Sequence, residues 1–572
     1  MTRAPIVLTT LAALAACTGS PAPGTGDGSV TLSIVGTNDM HGGILPSGDR
    51  GGLALFSGYV KNLRDARAGD GAVLLIDAGD MWQGTMESNV FEGAVVVEAY
   101  NALGYTAAAI GNHEFDFGPV GEAATPRSST DDPRGALKLR AAQAEFPLLA
   151  ANLIDDETGK PVAWPNVMPS ATVDAAGVTV GIIGVTTSTT FGETIRANTV
   201  GLSLAPLAAA ISTEAARLRS AGADVVIVTA HSGGSCREFA DPADVSSCDA
   251  GGEIIRVARA LEPGLVDVIV AGHTHAGIAH TFNGIAVIES LSRGRAFGRV
   301  DLTVDRFAGR IAETTIFPPQ HLCRFGGTGG APCAESEGNA SPPPAEYEGA
   351  VVEPDSAIEA VIEPAVTRVA ALKAEELGVM IESRLPLRGG VESPLGNLFA
   401  DAMLAASGGA DLVINNTAGG LRADLPAGPL TYGRLFEVFP FDNLLVRLTL
   451  TGRELEDLLA GYIARTDRLL GIAGARVEAA CRGSRVDVRV VRAGGAEIRD
   501  DETVVVATTD YLATTDLFAG VRPPEGAGPL VRDAVADWFR RRGGTVRPED
   551  LVNERMPRFP PDRTLPLTCR LP

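Results

Sequence analysis

The chain has 572 residues, 45% of them hydrophobic, and a formal charge of −22 at neutral pH. That length exceeds what one core organises and predicts two large domains, while the hydrophobic share excludes a disordered chain. The acidic surplus leaves no basic excess to displace counterions, so no nucleic-acid polymer is expected as a partner.

Arg3 is the only charge before an apolar stretch from Ile6 to Ala16, far short of the roughly 20 residues of a membrane-spanning helix. Residues 1–16 therefore read as a signal peptide. The stretch ends Leu14-Ala15-Ala16-Cys17, which resembles the lipobox of bacterial lipoproteins. That resemblance implies cleavage before Cys17, lipidation of its sulfur, and a membrane partner through the lipid. Residues 17–29 are rich in Gly, Ser, Pro and Thr and read as a flexible tether. The expected location is the cell envelope, periplasmic or on the outer surface. Such a compartment favours disulfides. With Cys17 set aside, six cysteines remain, and six allow fifteen pairings. Proximity favours Cys236–Cys248 and Cys323–Cys333, which leaves Cys481–Cys569 to tie down the end of the chain.

From residue 30 to about 305, short β-branched runs alternate with helical spacing. Val30 to Val35, AVLLIDAGD (72–80), TAAAIGNHE (106–114), VTVGIIGVTT (178–187), DVVIVTAHSGG (224–234) and DVIVAGHTH (267–275) read as buried strands running into loops. Leu204 to Ser220 has helical spacing. The alternation predicts an α/β domain over 30–318. Residues 319–375 hold a Gly- and Pro-rich linker and the start of a connecting helix, Ser356 to Leu377. A second α/β region occupies 376–572.

Five of the strands run into ligand-type residues at their carboxyl ends, the edge where open α/β sheets bind ligands. Asp39 and His41 follow the first, and Asp77 and Asp80 the second. Asn112, His113, Glu114 and Asp116 follow the third, His231 the fourth, and His273 and His275 the fifth. Five of the chain's seven histidines lie in these loops, too concentrated for surface or core histidines placed independently. Asp, His and Asn without cysteine suit borderline or harder divalent ions such as Zn²⁺ or Mn²⁺. Two such ions need an anionic bridge, which a carboxylate supplies, and the pair stabilises a phosphoryl transfer. A His beside a carboxylate in the third loop is placed to protonate a leaving alkoxide.

TNDMHG, DAGDMWQG, GNHEFDFG, AHSGG and GHTHAG, in this order, resemble the calcineurin-like metallophosphoesterases and, more narrowly, their 5′-nucleotidase family. The resemblance implies a four-layer αββα sandwich, and two divalent ions as cofactors. Asp39, His41 and His275 would hold one ion and Asn112, His231 and His273 the other, with Asp80 bridging. Asp77 would orient its neighbours. His113 and Asp116 would form the catalytic pair, the imidazole stabilising the transition state and the carboxylate fixing its tautomer.

ESPLGNLFADAM (392–403), NNTAGGLRADLPAGPLTYGRLFEVFPFDN (415–443) and ATTDYLATTDLF (507–518) resemble the family's C-terminal nucleotide-binding domain. By that resemblance Phe441 and Tyr511 would sandwich a base, Arg422 would contact the substrate phosphate, and Asp516 the ribose. The pattern departs from the family at Thr417, where an Asn is usual, and in the loop before Asp516, one residue shorter. Arg384 and Arg388 are the only arginines in the segment preceding GNL. The expected activity is hydrolysis of nucleotide phosphomonoesters. Alternatives are a nucleotide-sugar or 2′,3′-cyclic nucleotide phosphodiesterase, a thiosulfohydrolase-like relative, and a surface binding protein without turnover. No oligomeric state follows from the sequence.

Overall fold

The structure is a computed structural model describing residues 28–47, 51–121, 124–326, 333, 343–387, 393–466, 470–518, 520–521, 528–551, 567 and 569. Cys17, and with it the leader, lies outside the described residues.

Two sheets form the centre of the first unit. In one, the Ser29–Thr37, Gly71–Asp77 and Ala107–Ala109 strands run parallel, with Ala296–Asp305 antiparallel to Ser29–Thr37; seven strands take part in all. In the other, six-stranded sheet, Val178–Thr186, Val225–His231 and Val268–Ala271 run parallel. Alternation along a strand sends successive side chains to opposite faces. Leu32, Ile34, Leu74 and Ile76 from the first sheet thus meet Val180, Ile182, Val225 and Ile227 from the second. Val35 and Leu75 point the other way, toward Leu53, Phe56, Leu63 and Tyr100 on flanking helices, while Val226 and Val228 face Ile211, Leu218 and Ile254. Each such side chain contributes about 1.5–3 kcal/mol when fully buried. The result is helix, sheet, sheet, helix, as the motif resemblance implied.

Some elements differ from expectation. The TAAAI strand spans only Ala107–Ala109, because the chain leaves the sheet early to form the loop carrying Asn112. The predicted Leu204 to Ser220 helix begins at Leu207, after Pro206, and Leu204 ends a short strand instead. The connecting helix is Ser356–Ala374, capped by the Asp355 side chain; Leu377 belongs to the next strand, Glu376–Ile381.

The segment before that helix docks on the first unit. Tyr59 Oη donates to Cys323 O at 2.9 Å, and Asn62 Nδ2 donates to Ala350 O at 3.1 Å. Ile358, Ile362 and Ala365 of the helix enter the first core, whereas Val369 packs between Met86 and Phe436 of the two units.

In the second unit, a four-stranded sheet (Leu445–Thr451, Thr503–Thr509, Leu412–Asn416, Leu470–Ala473) and a three-stranded one (Gly428–Thr431, Glu376–Ile381, Gly544–Val546) pack with helices Pro394–Ala406 and Val531–Arg542. Disulfides join Cys236–Cys248, Cys323–Cys333 and Cys481–Cys569, the expected pairing. Among the described residues no helix is long and apolar enough to cross a membrane.

Candidate dinuclear metal centre

The carboxyl ends of both sheets converge on one spot. Asp39, His41, Asp80, His273 and His275 all have left-handed backbone, with φ between 48° and 79°. They are five of the twelve non-glycine residues in that region among those described, and each costs about 1–2 kcal/mol there. Crossing hydrogen bonds hold them: Asp39 N donates to Gly79 O at 3.0 Å, His41 N to Asp80 O at 2.9 Å, and Arg293 N to Asp39 O at 2.7 Å. The tight reversals let neighbouring side chains in one loop aim at a common centre.

The donor atoms are pre-sorted. His41 Nδ1 lies 2.9 Å from Gln83 O, and His231 Nδ1 lies 2.9 Å from Ala78 O. A carbonyl accepts, so both Nδ1 atoms carry a proton and both Nε2 atoms are left facing inward as the ligating positions. His41 Nε2 stands 3.0 Å from His275 Nε2, which in turn lies 3.3 Å from Asp39 Oδ1. His231 Nε2 stands 3.0 Å from Asn112 Oδ1, 3.2 Å from His273 Nδ1 and 3.3 Å from Asp80 Oδ2. Asp80 Oδ2 is also 3.9 Å from His41 Nε2, which places it between the two sets. Asp39 Oδ1 is buried without a hydrogen-bond partner, although Asp39 Oδ2 accepts from Asn38 Nδ2 and from His273 N. Acceptors converging on acceptors fit divalent cations, and the all-N/O donor set fits Zn²⁺ or Mn²⁺. The seven residues named from the sequence as metal ligands are thus brought together.

The local field favours positive charge. Burial opposes the Asp39 carboxylate, but the His275 and His231 imidazoles outweigh it and hold the group at about 2. Asp80 is also buried, and His231 and His113 hold it well below the ordinary range. Burial disfavours a charged His231, yet Asp80 lifts its ring to about 10; that proton marks where a cation is attracted. His41 is pushed well below its usual value by burial and then by His275. Asp77 accepts from Thr37 Oγ1, Tyr100 Oη and Gly79 N, a bracing role. Glu114 accepts from the backbone N–H groups of Asp80, Met81 and Gly111 at 2.7–2.8 Å.

His113 Nδ1 and Asp116 Oδ2 are 2.6 Å apart. Burial works against a charged His113, but Asp116 and Asp80 outweigh it and raise its pKa. The second unit closes over this pair. Arg422 Nη2 lies 3.4 Å from His113 Nε2, and its guanidinium carbon sits 5.0 Å from the Phe441 ring centroid. Burial lowers the Arg422 pKa against the attraction of Asp80 and Asp116. Tyr511 Oη donates to Gly192 O at 3.3 Å. A cavity of about 890 Å³ has Asp80, Asn112, His113 and His273 on one wall and Arg422, Phe441 and Tyr511 on the other. Phe439, by contrast, is a core residue. The Asp516 side chain and Arg388 lie outside what the structure describes. Arg384 pairs with Asp424 at the surface, and Thr417 is fully buried.

The sequence reading passed over four residues at this site. Gln83 Nε2 and Asn89 Nδ2 both donate to Pro440 O at 3.0 Å. Thr194 Oγ1 donates to Asp116 Oδ1 at 2.8 Å, and Glu193 lies 3.0 Å from His273 Nε2.

Comparison with known proteins agrees with this geometry. A family model described as calcineurin-like phosphoesterase matches residues 32–277, and one described as 5′-nucleotidase, C-terminal domain, matches 370–519. Endonuclease YhcR of Bacillus subtilis is 26% identical over 85% of this chain, which spans 37% of that protein. The 5′-nucleotidase of Vibrio parahaemolyticus is 25% identical over 78% of each chain. The crystal structure of a 5′-nucleotidase precursor from Thermus thermophilus superposes with a TM-score of 0.67 at 23% identity, covering 92% of this chain and 99% of that one. The first curated relative is thus far longer than this chain, while the fold is matched nearly end to end. With both family models in their expected order and the converging donor set between them, the chain belongs to the 5′-nucleotidase family of calcineurin-like metallophosphoesterases, a family of metal-dependent phosphoester hydrolases.

Proposed function

We propose that this chain hydrolyses phosphomonoesters of nucleotides outside the cytoplasm. One observation carries the reading: two sets of converging lone pairs lie beside the His113–Asp116 pair, in a cavity whose far wall is Arg422, Phe441 and Tyr511. Asp39, His41 and His275 would hold one divalent ion, Asn112, His231 and His273 the other, and Asp80 both. Two ions so held supply charge stabilisation to a phosphoryl group and acidify water.

The chain's own residues do the rest. Asp116 accepts from His113 Nδ1 and, with Asp80, favours the doubly protonated ring; that charged imidazole presents its Nε2 proton to the cavity for the departing oxygen. Arg422 offers a planar fork to the substrate phosphate. Phe441 and Tyr511 stack on the base. In this reading residues 30–318 carry the metals, 319–375 connect, and 376–572 bind the nucleotide.

The experiment is a phosphate-release panel over nucleotides, nucleotide sugars, 2′,3′-cyclic nucleotides and a small aryl phosphate, with Zn²⁺ and Mn²⁺ added separately. Phe441→Ala or Tyr511→Ala should lower kcat/KM on a nucleotide roughly 5- to 150-fold, from about 1–3 kcal/mol of stacking, and change aryl phosphate hydrolysis far less. Equal losses on both would remove the nucleotide assignment and leave a phosphoesterase of other specificity.

Export is supported by the leader-like residues 1–16 and by three disulfides, which persist in oxidising compartments. Anchoring through Cys17 is tested by Cys17→Ser, which should release the protein from membranes or block its maturation. Unmodified Cys17 on soluble wild-type protein would remove the anchor.

A further inference from the structure

No motif marks the segment from Gly192 to Thr194, yet it touches the metal centre, the His113–Asp116 pair and the second unit in three consecutive residues. Glu193 is the one that meets the metal centre. Its Oε2 lies 3.0 Å from His273 Nε2, and its backbone carbonyl accepts from Asn112 Nδ2 at 3.1 Å. These are two of the three side chains assigned to a single ion.

Each contact fixes the atom that must face away. With Nε2–H of His273 held outward, Nδ1 keeps its lone pair and stands 3.2 Å from His231 Nε2. With the amide nitrogen of Asn112 held outward, Oδ1 turns inward, 3.0 Å from the same His231 atom. An unconstrained imidazole has two tautomers, and an unconstrained carboxamide presents either end. Glu193 removes both ambiguities at once. The same device recurs nearby with backbone acceptors: Gln83 O behind His41 and Ala78 O behind His231. A ligating histidine characteristically gives its outward N–H to such an acceptor.

The geometry points to Glu193 as a positioning residue for the Asn112–His231–His273 half of the centre, an inference that rests on the metal reading above. Its neighbours extend the arrangement. Thr194 Oγ1 donates to Asp116 Oδ1 at 2.8 Å, and Gly192 O accepts from Tyr511 Oη at 3.3 Å. The Glu193 side chain is 42% exposed, so its removal leaves no buried gap.

The test is calorimetric titration of metal-stripped protein with Zn²⁺ alone, repeated with Mn²⁺. Wild type is expected to take two equivalents. Glu193→Ala should keep one equivalent at wild-type affinity and weaken the other by about tenfold, the lower end of the 10–100-fold range for outer partners of ligands. Glu193→Gln, which retains an acceptor oxygen, should fall between. Unchanged melting of the metal-free variants establishes that they fold. Two full-affinity equivalents in Glu193→Ala, or equal weakening of both, would overturn the Glu193 assignment and leave the metal reading standing. A wild type that takes up neither ion would remove the metal reading, and this inference with it.

Discussion

Nε2 of His41 and Nε2 of His275 stand 3.0 Å apart at the ends of two different sheets. Because His41 Nδ1 is committed to the Gln83 carbonyl, the facing atom is a lone pair, and the contact is stable only with a cation or proton between. Chelation should therefore destabilise the first unit. For an ion present at about 100 times its Kd the loss is about 2.7 kcal/mol, or on the order of 5 °C in melting midpoint for a domain of this size. Calorimetry with and without EDTA measures it. An unchanged midpoint would mean that these side chains converge without binding metal.

Asp80 Oδ2 is within 3.3 Å of His231 Nε2 and 3.9 Å of His41 Nε2. Asp80→Asn should accordingly lower occupancy of both ions, whereas Asn112→Ala should mainly affect one. Metal content per chain, determined by elemental analysis, separates the two outcomes. Loss of a single ion in Asp80→Asn would end the bridging role.

His113 contributes its backbone N–H to Asp80 Oδ1, a bond that survives truncation of the ring. His113→Ala should keep both ions and lose turnover by roughly 10²–10⁴-fold, the range for a general acid–base group. If the variant also loses its metals, the separation between ligands and proton donor fails.

Gln83 and Asn89 share one acceptor, Pro440 O, next to Phe441. Changing both to Ala removes two buried bonds of about 1 kcal/mol each. A release of about 1.4 kcal/mol would cost tenfold in kcat/KM on a nucleotide while sparing a small aryl phosphate. Steady-state kinetics on both substrates would show whether this contact holds the second unit in place; parallel losses would show that it does not.

Asp301 receives two bonds from Arg299 and one from Arg67. Burial raises its pKa, but the Arg299 contacts outweigh that and leave it below the ordinary value. A depressed carboxylate contributes stability that is full above its unfolded pKa and lost as pH falls through the folded one. Asp301→Asn should thus destabilise by about 1.5–3 kcal/mol near neutrality, and the gap from wild type should close as pH falls through the depressed folded-state pKa. Denaturant midpoints at several pH values test the convergence. A gap independent of pH would assign the loss to packing.

The convergence of these side chains was legible because they sit at fixed offsets from strand ends, and strand periodicity is a local signal. Asp39, Asp80 and His231 each follow a run that alternation marks as buried. Glu193 carries no such signal: it lies in a short irregular stretch, and its partners Asn112 and His273 are each about 80 residues away in sequence. Gln83 and Pro440 are separated by 357 positions, a distance over which composition and spacing carry no information. The three-residue strand Ala107–Ala109 was overextended because apolar continuity does not mark where a chain leaves its sheet.

The three disulfides differ in when they become possible. Cys236–Cys248 and Cys323–Cys333 span 12 and 10 positions, so each pair is together soon after emerging during synthesis. Cys481 must wait for a partner 88 positions later, and Leu567, beside that partner, is itself a core residue bonded to Ile463 O. Folding that proceeds from the first unit onward therefore adds this part of its last core late, when Leu567 arrives. Until that partner is made, the Cys481 thiol can exchange with disulfides already formed. In an oxidising compartment this is the position where mispairing would begin, and where an isomerase would have the most to correct.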